Sequence, residues 1–131
     1  MGVSQKLQDI FSNHSETSDK HRDELLKSHY YKTTNKKAIE AVKEVLESTD
    51  GFSIGSISEE RGEMSVYYKK GGKKAFIIVT IISVRPFETA IDFAVTTETG
   101  FLPMDFGFSK KLILELYKKM DAALPFLGAK R

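Results

Sequence analysis

The chain has 131 residues, no cysteine and nearly balanced charge, with 20 basic and 18 acidic side chains. This length fits a single domain, and the lack of cysteine excludes disulfides, thiolate metal ligands and cysteine nucleophiles. A net charge of +2 creates no global field that would attract nucleic acid or anionic lipid. Because the N-terminus lacks a signal-peptide pattern and no apolar run could span a bilayer, the sequence predicts a cytoplasmic protein.

The first 27 residues carry only sparse apolar positions. A polar stretch at 13–23, rich in serine and threonine, leads into one expected helical turn at 23–26. We therefore predict that 1–27 is a helical appendage or linker, and that the folded domain covers 28–128. The apolar residues at helical spacing in the appendage are Val3, Leu7, Ile10 and Phe11.

Strand and helix signals become dense from residue 28. The segment 29–31 favours a short strand, and Thr33 and Thr34 offer N-cap oxygens for a helix that ends before Asp50. Its apolar face consists of Ala38, Ile39, Ala41, Val42, Val45 and Leu46.

A meander of four further strands is predicted, at 52–57, 64–68, 75–84 and 90–97. The third of these is apolar at both odd and even positions, which indicates that each face is covered, by a helix or by a partner. A final helix, with Ser109 as its N-cap, ends before Pro125.

The predicted fold is α+β, with a four-to-five-stranded antiparallel sheet in the order β-α-β-β-β-β-α. This order resembles the layout of TATA-binding-protein repeats and of helix-grip lipid-binding domains. The same layout serves DNA binding, apolar-ligand transport and scaffolding, so the topology implies no one function.

Three segments carry a closer resemblance to a family. The stretches 27–34, 84–87 and 101–108 resemble an uncharacterised family of small cytosolic proteins from Gram-positive bacteria. The stretch 105–109 is also loosely similar to the D-x-G-x-N motif of a widespread domain-of-unknown-function family, with Ser109 in place of the asparagine. Leu112 replaces the arginine that follows that motif. Neither resemblance implies a known activity.

No cofactor and no metal are expected. His14 and His21 lie in a segment without cysteine and with little to fix a ligand geometry. The tripeptide 105–107 matches the magnesium motif of protein kinases, but the glycine-rich and catalytic loops of that class are missing. No paired carboxylates converge, so the sequence favours a binding domain over an enzyme.

The basic turn at 69–74 is the one nucleic-acid candidate, since Tyr67 and Tyr68 lie beside it. The near-neutral net charge and the acidic neighbours at 59–63 argue against nucleic acid as a partner.

The loop at 100–108 is the principal candidate site, because it is far more apolar than a usual loop. It either closes the end of the core, with Asp105 capping backbone amides near the start of the last helix, or forms the mouth of an apolar pocket or a partner-docking patch. Asp92 interrupts an apolar strand and would need a partner such as Arg85 if buried, whereas on a half-exposed strand it would point to solvent. The candidate binding residues are Phe101, Met104, Asp105, Phe106, Phe108, Arg85 and Asp92.

Two functions follow from these features. The first is a noncatalytic binding domain that holds a small apolar molecule between the sheet and the C-terminal helix. The alternative is a homo-oligomer or a scaffold for a protein partner.

Overall fold

A computed structural model describes residues 14–98 and 107–129. Within this part of the chain there are seven strands and two helices, together with a 3₁₀ turn at Glu24–Leu26. The elements in chain order are β1 (His14–Glu16), β2 (His29–Tyr31), α1 (Asn35–Glu47), β3 (Phe52–Ser58), β4 (Glu63–Lys70), β5 (Lys73–Arg85), β6 (Glu88–Glu98), α2 (Phe108–Ala123) and β7 (Phe126–Ala129).

The strands form one sheet in the order β3-β4-β5-β6-β2-β7, and every described pair is antiparallel. β1 and β2 lie one after the other along the same edge of β6, where β1 pairs with 94–96 and β2 with 89–91. The α+β class and the antiparallel sheet agree with the sequence prediction. The predicted strand count and order are corrected, because β1 and β7 were not expected.

Both helices pack on one face of this sheet, and their apolar stripes meet the inward side chains of β4, β5 and β6. On β5 the inward residues alternate with outward ones, as the two-residue period of a strand requires. The inward residues of β5 are Ala75, Ile77, Val79 and Ile81. Neither described helix is long and apolar enough to cross a membrane.

Residues 14–27 belong to this core, and the predicted domain boundary at residue 28 therefore does not match the edge of the sheet. Ser15 is buried opposite Val95, and the side chain of Leu26 is only 2% exposed. Asp23 forms an ion pair of 2.6 Å with Lys110 of α2. The segment was interpreted as an appendage because its few apolar positions do not reveal a three-residue strand that pairs far along the chain.

The two helices begin in different ways. Thr34 caps α1 as predicted, with its hydroxyl accepting from the amide of Lys37. α2 begins after Gly107, whose φ of 86° is left-handed. The sequence predicts Ser109 as the N-cap of this helix, and this is wrong, because Ser109 lies inside the first turn. It is buried there, and its hydroxyl lies 2.9 Å from that of Ser15.

The β3–β4 turn is anchored to β5 by its glycine. The amide of Ile81 donates a 2.7 Å hydrogen bond to the carbonyl oxygen of Gly62. Gly62 is buried and has a φ of 67°, a conformation that favours glycine. The turn at 59–62 that joins β3 to β4 is therefore also in contact with β5.

Candidate functional site

The candidate residues of the aromatic loop are only partly within the described chain. Phe101, Met104, Asp105 and Phe106 lie outside the described residues. Phe108 is the half-buried first residue of α2. Its ring lies 4.3 Å from the Lys73 ammonium nitrogen and 5.9 Å from the ring of Tyr68, so it packs across the end of the sheet.

Arg85 and Asp92 do not form the pair that a buried aspartate was expected to need. Arg85 is exposed at the end of β5, with its Nε 3.6 Å from a carboxylate oxygen of Glu88. Asp92 lies on β6 opposite Thr80. Its partners come instead from the N-terminal segment, where the hydroxyls of Thr17 and Ser28 donate to Oδ1 at 2.6 and 2.5 Å.

Thr17 links Asp92 to the helix layer. Its hydroxyl oxygen accepts a 2.9 Å hydrogen bond from the amide of Phe93 and lies 3.2 Å from the hydroxyl of Tyr117 on α2. The Tyr117 hydroxyl donates to the carbonyl oxygen of Ile91 at 2.6 Å. Polar groups thus connect the two faces of the sheet at the gap between β1 and β2.

Burial raises the pKa of Asp92, and the charges of Asp19 and Glu16 act in the same direction, while the hydrogen bonds from Ser28 and Thr17 act against them. A carboxyl whose native pKa lies above its unfolded value of about 3.8 binds more protons in the folded state. The contribution of Asp92 to the free energy of unfolding therefore decreases as the pH rises from about 3.8 through the raised native pKa.

Asp92→Asn tests this titration. The amide oxygen can accept both hydroxyl hydrogen bonds, but the group no longer ionises. We expect the variant to gain stability relative to the wild type as the pH rises through that window, with the difference constant above it. Urea unfolding of both proteins at about pH 3 and pH 7 measures the change, and a difference that does not vary with pH would contradict it.

A second polar cluster joins β2 to the C-terminal helix. Asp121 of α2 accepts at Oδ1 from the Tyr31 hydroxyl at 2.6 Å and lies 2.9 Å from Nδ1 of His29. The His29 ring stacks on Tyr117 at 3.7 Å with 5° between the planes. Phe126 of β7 covers the other side at 4.8 Å. Burial and the neighbouring Asp121 raise the pKa of Tyr31.

This cluster holds β2 to α2, and the sequence analysis does not predict it. The sequence predicts only a short strand at 29–31 and no role for the His29 side chain. The signal that could have found the cluster is the i, i+2 spacing of His29 and Tyr31, which places two polar rings on one face of a short strand. Among the described residues, no three histidine, aspartate or glutamate side chains group as a metal site.

The outer side of the sheet, which we call the open face, is covered by neither described helix. It comprises the outward residues of β4, β5 and β6. Tyr67 and Phe76 are 52% and 39% exposed, with their ring centroids 5.3 Å apart. Ile82 is 50% exposed, and Ile78, between Phe76 and Thr80 on the same face, is half-buried. The sequence predicts that β5 is covered on both faces. The described helices cover one of these faces and leave the open face uncovered.

On β4 and β5 the charge of the open face is separated along the strands, whereas Glu98 of β6 lies in the lysine row, opposite Lys74. Lys69 and Lys74 are cross-strand neighbours at one end, one row beyond the Tyr67–Phe76 pair. Glu63 lies opposite Thr80, toward the other end. The aromatic neighbours of the basic turn on this face are Tyr67 and Phe76, because Tyr68 points inward and packs against the core.

The open face is the best candidate for a binding surface, because removing adjacent exposed aromatic and aliphatic side chains from water lowers the free energy of the system. No protein-family model matches the chain, and no curated protein matches it either.

Proposed function

We propose that this protein is a noncatalytic interaction domain that forms a homodimer through the open face of its sheet. The observation that carries the proposal is the exposed apolar strip on β4 and β5, formed by Tyr67, Phe76, Ile78 and Ile82. Two sheets pack face to face about 10 Å apart with their inner side chains interdigitated. Such packing would bury this strip while leaving the helices on the outside.

A second copy fits this face better than a strongly charged partner does. The face carries lysines at 69 and 74 in one place and Glu63 in another. A surface of one sign would attract a partner of the opposite sign, whereas separated charges of both signs complement a copy of the same surface. A two-fold interface uses the same patch on both subunits, which this distribution supports.

The other predicted occupant is a small apolar molecule between the sheet and α2. The described part of that layer is filled by side chains of α2 that are almost fully buried: Leu112, Ile113, Leu116, Tyr117 and Met120. This filling favours the dimer over the ligand. The proposal also includes a helix-grip type of layout. It includes a cytoplasmic location as well, which the absence of cysteine supports.

Phe76→Lys is expected to dissociate the dimer. Each copy would lose an apolar ring from the interface and place a charge there, and burial of one such ring contributes about 1.5–3 kcal/mol. Because the symmetric interface contains the ring twice, we expect the dissociation constant to rise at least about a hundredfold. Sedimentation velocity over a micromolar concentration series measures this constant.

Leu25→Lys provides the matched control. Leu25 is also an exposed apolar residue, but it lies in the 3₁₀ turn that contacts α2, away from the open face. Its substitution should leave the dissociation constant unchanged. A wild-type protein that stays monomeric at high micromolar concentration would overturn the proposal. A monomer that carries a bound apolar molecule in native mass spectrometry would favour the ligand instead.

A further inference from the structure

We infer that the two copies pack with their strands running in opposite directions, so that Lys69 of each copy faces Glu63 of the other. This inference rests on the proposed homodimer and specifies its geometry. In such a dimer the two-fold axis lies between the sheets and perpendicular to the strands. It therefore exchanges the two ends of the open face, while β4 stays over β4 and β5 over β5.

The register of the sheet supplies the rows from which this geometry follows. Along β4 and β5 the outward pairs are Lys69 with Lys74, Tyr67 with Phe76, Ser65 with Ile78 and Glu63 with Thr80. An axis that passes between the second and third rows places the first row over the fourth. Phe76 of each copy then covers Ile78 of the other, and Tyr67 covers Ser65. Lys69 lies over Glu63, and Lys74 lies over Thr80.

Lys69 and Glu63 are suited to this contact. Both are exposed, and neither forms an ion pair with another described residue within 4 Å. Symmetry makes the contact twice, and unlike charges at an interface fix register and orientation. The same arrangement places Glu98 of each copy over Asp92 of the other, and this contact between like charges disfavours it. The repulsion is reduced because Asp92 is partly buried and accepts hydrogen bonds from the hydroxyls of Thr17 and Ser28.

The other two-fold axis, parallel to the strands, is less favourable. It keeps each row over itself and places β4 over β6. Lys74 would then face Lys74 of the second copy near the axis, and Glu63 would face Asp92. Lys69 would gain only Glu98, its row neighbour on β6. An acidic residue faces Asp92 in both geometries, so they differ in the Lys74–Lys74 contact, which lies at the parallel axis and which the perpendicular axis replaces with Lys74 over Thr80.

Charge reversal distinguishes the two geometries. Lys69→Glu should create two Glu–Glu contacts in the dimer of that variant, and Glu63→Lys should create two Lys–Lys contacts. We expect each substitution alone to raise the dissociation constant about tenfold at low salt. An equimolar mixture of the two variants should form mainly heterodimer in native mass spectrometry, because both contacts are then Glu–Lys. The double variant should dimerise as the wild type does.

Lys69→Glu mixed with Glu98→Lys is the matched control, since that pair would be rescued only by the parallel axis. Heterodimer in the first mixture and not in the control mixture supports the inference. The inference about strand orientation is overturned if the first mixture shows no preference for heterodimer, or if the control mixture forms mainly heterodimer. In either case the proposed homodimer still holds if Phe76→Lys dissociates the wild-type dimer. A monomeric wild type overturns both.

Discussion

Gly62→Ala is expected to destabilise the protein by about 2–5 kcal/mol. A left-handed backbone costs a residue with a Cβ about 1–2 kcal/mol, and forced overpacking adds about 1–3 kcal/mol. Both costs apply here, because Gly62 has a φ of 67° and a Cβ on it would overlap the backbone carbonyl oxygen of Ile81. Relief of the overlap would disturb the hydrogen bond from the Ile81 amide.

Gly71→Ala separates the two causes. Gly71 has a similar φ of 58°, but a Cβ at this position would have no heavy atom within 4 Å. The control should therefore lose only the conformational part, about 1–2 kcal/mol. Urea unfolding of the two variants measures the difference, and equal losses would show that the turn does not press against β5.

Leu26→Ala is expected to cost about 2–5 kcal/mol, the range for a buried leucine reduced to alanine. Leu26 is 2% exposed within the core, although it lies in the segment that the sequence pattern assigned to an appendage. The neighbouring Leu25 is 54% exposed, so Leu25→Ala should change stability by no more than about 0.5 kcal/mol. Thermal or urea unfolding gives both values.

The pair of leucine variants decides where the domain begins. If 1–27 were an appendage, both substitutions would be neutral, and a chain that starts near residue 27 would keep a cooperative transition. The structure leads to the opposite expectation, because that chain would lack β1, the Thr17 hydroxyl and the Asp23 carboxylate. Neutral behaviour of Leu26→Ala would restore the boundary at residue 28.

Local signals explain which parts of the fold were predictable. The β3–β4 and β4–β5 turns lie where glycines allow positive φ, at Gly62 and at Gly71 and Gly72, and the α1 cap follows from Thr34. Each depends on residues within one turn of the chain. β1 and β7 have three and four residues, and their strand state depends on partners that are distant in sequence. Such strands leave little pattern of their own.

The candidate site was predictable to a smaller extent for the same reason. Apolar residues at both odd and even positions of β5 indicate that both of its faces are apolar, but the side on which the helices pack is set by tertiary packing. The ionisable character of Asp92 was visible, whereas its donors, Thr17 and Ser28, come from residues 64 or more positions away. No periodicity within β6 could identify them.

The strand order also has a consequence during synthesis on the ribosome. β3 to β6 are joined by short turns, so each pairs with a neighbour that has just been made. β1 instead waits for β6, and the side chains of His14 and Thr96 that meet there are 82 positions apart. Translation proceeds from the N-terminus, and closing long loops slows folding. β1, the first of the described strands to emerge from the exit tunnel, is therefore among the last of them to acquire a neighbour.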